Sequence, residues 1–151
     1  MNETIYLGAD HAGFDSKEKI KKYLLQKKYK VIDCGNKRYN ANDDYPDFAF
    51  KVAKEVAYHR GFGILFCGSA EGMSIAANKV RGIRAVVAHD ITEAKLTREH
   101  NDSNVLCLSG WHTPIPLAKR IINIWLQTPF SNDKRHKRRL RKITQIEEGT
   151  L

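Results

Sequence analysis

Cysteine is scarce in this chain: Cys34, Cys67 and Cys107 are the three thiols among 151 residues, and no two form a CxxC pair. An odd number of widely spaced thiols indicates neither a disulfide framework nor a zinc site. A reducing compartment fits that usage best. Long apolar runs are lacking too. None approaches the roughly 18 residues of a membrane span. The opening "MNETIYLGADHAGFDSKEK" has no basic n-region and no long apolar stretch, so it does not read as a signal peptide. Internal repeats and low-complexity linkers are absent as well. The expectation from these absences is a cytoplasmic protein without a membrane partner.

What is present is ordinary globular material: 42% hydrophobic, 28% charged and 9% aromatic residues. The length predicts one domain over residues 1–151 with a core of its own. The net charge of +9 suggests nucleic acid at first sight, but it is local. "KRHKRRLRK", residues 134–142, holds seven of the basic residues, and the rest of the chain carries only +2. The patch needs its own explanation.

Apolar periodicity predicts strict alternation of strand and helix. Strands are expected at 4–8, 29–35, 62–68, 83–89 and 104–110. Helices are expected at 15–28, 45–59, 72–80, 91–100 and 114–128, with a last, basic helix at 134–148. Pro46 suits the first turn of its helix, whose stripe reads as Phe50, Val52, Ala53, Val56 and Ala57. The strands are short and apolar throughout, as in a sheet covered on both faces. The fold class is therefore α/β: a three-layer sandwich around a Rossmann-like, doubly wound, five-stranded parallel sheet.

In such sheets ligands bind beyond the carboxyl ends of the strands. That rule selects Asp10 and His11 after the first strand, "CGSAEG" after the third and His89 with Asp90 after the fourth. His100, Asn101 and Asp102 end the following helix, and all these groups are expected on one rim. Cys67 stands where an apolar run ends and a short glycine-bracketed loop begins. Backbone N–H groups of Gly68, Ser69, Ala70, Glu71 and Gly72 would then open a helix, a layout that favours an oxyanion or phosphate. The same field is expected to lower the pKa of the neighbouring thiol. The bland alternatives are a tight turn with a spectator cysteine, and a His–Asn pair serving only as a helix end. Arg135, Arg138, Arg139 and Lys142 share one helix face, and two arginines one turn apart suit a phosphate clamp.

"GADHAGF", "DYPDFA", "CGSAEGMSIAANKVRGIRAVV", "HND" with "NVL", and "RHKRR" occur in that order over about residues 4–146. Together they resemble the type B ribose-5-phosphate isomerases, a family that includes galactose-6-phosphate and allose-6-phosphate isomerases. The resemblance implies interconversion of ribose 5-phosphate and ribulose 5-phosphate through an enediolate, with no metal and no cofactor. It also implies a homodimer or homotetramer whose active sites lie across the subunit interface. It assigns Cys67 as the base between C1 and C2, His100 as the acid/base that opens the furanose ring, and Ser69 to proton traffic. The Gly68–Gly72 backbone with Asn101 would hold the oxyanion. Asp10, His11 and Tyr45 would line the sugar site, and Arg135 and Arg139 would bind phosphate. One branch of the family carries a glutamate base further into the loop. Met73 stands there in this chain, which leaves Cys67.

Two positions depart from the family pattern. Ala70 replaces a common glycine; a left-handed backbone there would cost about 1 kcal/mol, and the expectation is a slightly altered turn. Trp111 replaces an arginine that contributes to phosphate binding, with His112 or Lys137 as possible substitutes. Competing readings are an isomerase of a six-carbon aldose 6-phosphate, a non-catalytic partner of another isomerase subunit, and a nucleic-acid-binding module using the basic helix. The last lacks aromatic interleaving near residues 134–142.

Overall fold

The structure, a computed structural model, describes residues 3–151. Five strands alternate with helices: β1 (Thr4–Ala9), α1 (Phe14–Gln26), β2 (Lys30–Asp33), α2 (Tyr45–His59), β3 (Phe62–Cys67), α3 (Glu71–Ala77), β4 (Ala85–Val87), α4 (Ile91–Asn101), β5 (Val105–Ser109), α5 (Ile115–Gln127) and α6 (Lys134–Glu148). The sheet order is β2-β1-β3-β5-β4, and every pairing is parallel. Parallel neighbours require crossovers, which the helices supply. The chain leaves β1 towards β2 and then returns to β3 on the other side of β1. The carboxyl ends of β1 and β3 therefore open a crevice at a topological switch point.

Two cores hold the layers together. Ile5, Leu7, Ile64, Phe66, Leu106 and Leu108 pack on α1, α4 and α5 through Ile20, Leu24, Ala94, Ile121 and Trp125. On the other face Tyr6, Leu65, Cys67, Val105 and Cys107 meet Phe48, Val52, Val56, Met73 and Ala77 of α2 and α3. Alternate strand residues thus feed opposite cores, as a period of two demands. Lys17 fixes α1 to β2: its side chain is fully buried, with Nζ 2.8 Å from Asp33 and 2.7 Å from Glu18. Lys21 closes the network on the same two carboxylates, at 2.7 Å each.

Several boundaries differ from expectation. β4 spans three residues, and α3 ends at Ala77 instead of running to 80. The α2 stripe is Phe48, Ala49, Val52, Ala53 and Val56; Phe50 and Ala57 face outward. The apolar count alone could not distinguish these two neighbouring faces. β2 is an edge strand with exposed Lys30 and Ile32, so it is not apolar throughout.

Candidate active site

Cys67 is the last residue of β3, opposite Ser109 of β5. Its side chain faces the α2/α3 core and is buried, with 4% of the residue exposed. The loop behind it is held from outside. Gly68 O accepts from the Ser109 hydroxyl at 2.6 Å and from Trp111 N–H at 3.3 Å, while Gly110 N–H donates to Cys67 O at 2.8 Å. With the carbonyls engaged outward, the loop turns its amides inward. The backbone N–H groups of Ala70 and Met73 act on the Cys67 thiol and lower its pKa. Ser69 and Glu71 are exposed beside them.

The net pKa of that thiol corrects the sequence expectation. Burial pushes it above its ordinary value of 9.0 and outweighs the two amides, which lower it; Asp10 and Glu71 also raise it. The free protein therefore holds a thiol at neutral pH, not a ready thiolate. The turn corrects a second expectation. Ala70 does adopt the left-handed backbone, with φ 76° and ψ −23°. It is fully buried, so its methyl contributes about 0.8 kcal/mol by burial. That nearly offsets the roughly 1 kcal/mol of strain, and no altered turn is needed.

Around this loop stand three expected residues. Tyr45, the first residue of α2, lays its ring on Gly72, where a Cβ would sit 2.7 Å from Cζ. Asp10 is buried and accepts Gly13 N–H at 3.0 Å; burial raises its pKa against that bond and His11. His11 pairs through Nδ1 with Asp43 Oδ1 at 2.8 Å, and its backbone N–H reaches the same oxygen at 2.9 Å. The Asp43 bond raises the His11 pKa. Asp43 was missed in the sequence, where "NKRYNANDD" reads only as a polar loop. Asp10, His11 and Asp43 bring ligand-type atoms within 4.8 Å, but the direct His11–Asp43 bond already uses two of them.

The remaining expected residues are elsewhere. A helix that follows a parallel strand runs back down the sheet, so α4 begins near the carboxyl end of β4 and ends near the amino end of β5. His100 and Asn101 close α4. Arg84, just before β4, donates to the carbonyls of Asn101 and Asp102 at 3.1 and 2.8 Å. Asn104 O accepts from Gly63 N–H at 2.9 Å, at the start of β3. Cys67 lies four residues further along that strand, about 13 Å at roughly 3.3 Å per residue. The expectation of a single shared rim is therefore wrong: Asp10, His11, Tyr45 and the Cys67 loop occupy the carboxyl end, and His100 and Asn101 the amino end. His89 and Asp90 stay at the carboxyl end, where Asp90 caps α4 by accepting Glu93 N–H at 2.8 Å.

The amino-end group is well built. Arg98, almost fully buried, donates to Asp102 at 2.8 Å and Ser103 O at 2.6 Å, and lies 4.9 Å from the Phe62 ring. It pins the last turn of α4. The first turns of α6 then bring His136 against His100, ring centroids 4.5 Å apart. Arg135 and Arg139 flank His136 on α6 and are exposed. Neither arginine nor His100 meets Cys67 within one chain.

A family model described as Ribose/Galactose Isomerase matches residues 5–143. The chain belongs to this isomerase family. Ribose-5-phosphate isomerase B of Mycobacterium tuberculosis is 40% identical over 144 residues, covering 95% of this chain and 89% of that protein. Within the family, the structure of Clostridium thermocellum ribose-5-phosphate isomerase B superposes with a TM-score of 0.93 at 42% identity, covering 98% of this chain and 99% of that one. The Mycoplasma genitalium enzyme, solved with ribulose 5-phosphate bound, gives a TM-score of 0.93 at 39% identity over 98% of both chains. The five-stranded family fold is the fold found here. No helix among the described residues is long and apolar enough to cross a membrane.

Proposed function

We propose that this protein is an aldose–ketose isomerase that interconverts ribose 5-phosphate and ribulose 5-phosphate, with each active site shared between two copies of the chain. The observation that carries the reading is the division of the expected residues. The thiol, its amide-lined loop, Asp10, His11 and Tyr45 sit at one end of the sheet. The histidine, Asn101 and the paired arginines sit at the other. A two-fold contact sets a patch of each subunit against the same patch of its mate. Two chains side by side in opposite directions then join the thiol end of one to the histidine end of the other, twice over. Exposed apolar side chains at both ends favour such a contact: Tyr45 at 40% and Trp111 at 68% at the thiol end, and Ile143 at 40% and Ile146 at 63% on α6.

In this arrangement His100 moves a proton between the anomeric hydroxyl and the ring oxygen and opens the furanose. Cys67, as thiolate, then takes the proton from C2. The electron pair moves into an enediolate whose negative oxygen faces amides of the Gly68–Gly72 loop and Asn101 of the second copy. Each such donor contributes about 3 kcal/mol to the transition state. The O2 hydroxyl proton passes to O1, a transfer that Ser69 assists, and the thiol returns its proton to C1, which leaves the ketose with C2 as the carbonyl. Arg135 and Arg139 of the second copy hold the phosphate. Those cations favour the thiolate, against the burial and the phosphate dianion that disfavour it. This role also gives the basic patch a use that needs no nucleic acid.

Incubation with ribose 5-phosphate and, separately, with allose 6-phosphate tests the proposal by the ketose formed. The expected result is turnover of ribose 5-phosphate with the higher kcat/KM, abolished in Cys67→Ala with the fold retained. Undiminished turnover in that variant would refute the thiol's role, and a preference for allose 6-phosphate would move the assignment to six-carbon sugars.

A further inference from the structure

His136 is a buried titratable group that the mechanism above does not use. It is 3% exposed although it lies on the most highly charged helix of the chain. Its ring packs at a tilt against that of His100, with a centroid separation of 4.5 Å and an interplanar angle of 40°. Its Nδ1 is 2.7 Å from the Ser131 hydroxyl. The same serine donates its backbone N–H to Glu99 O at 3.0 Å, one residue before His100. Phe130 closes another side of the ring at 6.5 Å. The His136 ring is thus fixed by the loop between α5 and α6, and that loop is fixed to the last turn of α4.

We infer that His136 is a positioning residue: it holds the His100 imidazole in the orientation from which it opens the sugar ring, and locks it in register with Arg135 on the same helix turn. This rests on the isomerase reading and on the ring-opening role of His100. A histidine on an exposed helix end has several rotamers, and ring opening needs one of them, aimed at two oxygens on the same sugar. Displacements of about 1 Å in such geometry can cost 100-fold in rate. The ring packed against it removes that freedom without touching substrate. Charge is compatible with the role. Burial lowers the His136 pKa, and His100, Arg135 and Arg139 lower it further against Asp133, so a neutral ring faces His100 at neutral pH. An ammonium or guanidinium there would set a permanent like charge against any proton that His100 carries.

The chemistry of the substrates supplies a test that a merely structural role would fail. Ribose 5-phosphate is mostly furanose and must be opened. Erythrose 4-phosphate has its only ring-forming hydroxyl esterified, so it presents an open chain. Initial rates on both are compared for the wild type, His136→Ala and His136→Phe. The expected result for His136→Ala is a fall of about 10-fold or more in kcat/KM on ribose 5-phosphate, with less than about a 2-fold change on erythrose 4-phosphate. His136→Phe, which restores a ring against His100, should recover most of the loss. Equal losses on both substrates would overturn the inference and leave His136 as packing, as would an unchanged His136→Ala. Failure of the wild type on both substrates would overturn the isomerase reading itself.

Discussion

The indole of Trp111 lies across Gly68, so that a Cβ on that glycine would stand 2.6 Å from Cη2 and Cζ2. An exposed tryptophan therefore roofs the residue next to the thiol. The atoms met there are the far end of a side chain, which can shift. Gly13 makes an equally close approach to something that cannot move, the carbonyl carbon and oxygen of Phe66 in β3. Gly68→Ala should thus lower stability by under about 1 kcal/mol while reducing activity, because the loop beside Cys67 is disturbed. Gly13→Ala should cost roughly 3 kcal/mol. Urea unfolding of both variants checks the contrast, and equal losses would contradict it.

The ligand-free thiol is expected to titrate late. Burial raises the Cys67 pKa above 9.0 against the amides of Met73 and Ala70. Thiolate absorbance of the wild type minus that of Cys67→Ala, followed against pH, isolates the group from Cys34 and Cys107. The predicted midpoint lies above 9.0. A thiolate already formed near neutrality would contradict the account.

Acid should unfold the protein partly through Asp33. Burial alone would raise its pKa, but the hydrogen bonds from Lys17 and Lys21 bring it below the ordinary 3.8. A carboxylate with a depressed folded pKa stabilises the fold above the unfolded value. That contribution disappears as pH falls from 3.8 through the lower folded value. Asp33→Asn should be less stable at neutral pH, where Lys17 loses its buried partner, and should lose less further stability on acidification. Urea midpoints at pH 7 and pH 3 measure this; parallel shifts in both proteins would argue against it.

The alternation of elements was legible because parallel strands and their covering helices carry strong, distinct periodicities. So was the thiol's position, since an apolar run that stops at "CG" marks a strand end. The rim of His100 was not legible from a list of element ends. Placing it needs the direction of α4, whose last residue returns to the start of β5. The thiol's raised pKa was missed because the sequence displays the amides of the loop but not the Phe48 and Met73 core behind Cys67. Ala70 was misjudged because strain was counted without the burial of its methyl. Asp43 and Ser109 act through hydrogen bonds across loops, for which residue type in a polar stretch gives no signal.

Mixing two inactive variants tests most directly whether Cys67 and His100 of different chains meet in one site. Cys67→Ala and His100→Asn, each inactive on ribose 5-phosphate alone, are combined in equal amounts and allowed to exchange subunits. Random pairing of a two-fold dimer makes half of the dimers mixed, each with one intact site, so activity should return to about one quarter of the wild type. If both groups served the same site from one chain, no pairing could restore them, and the mixture would stay inactive.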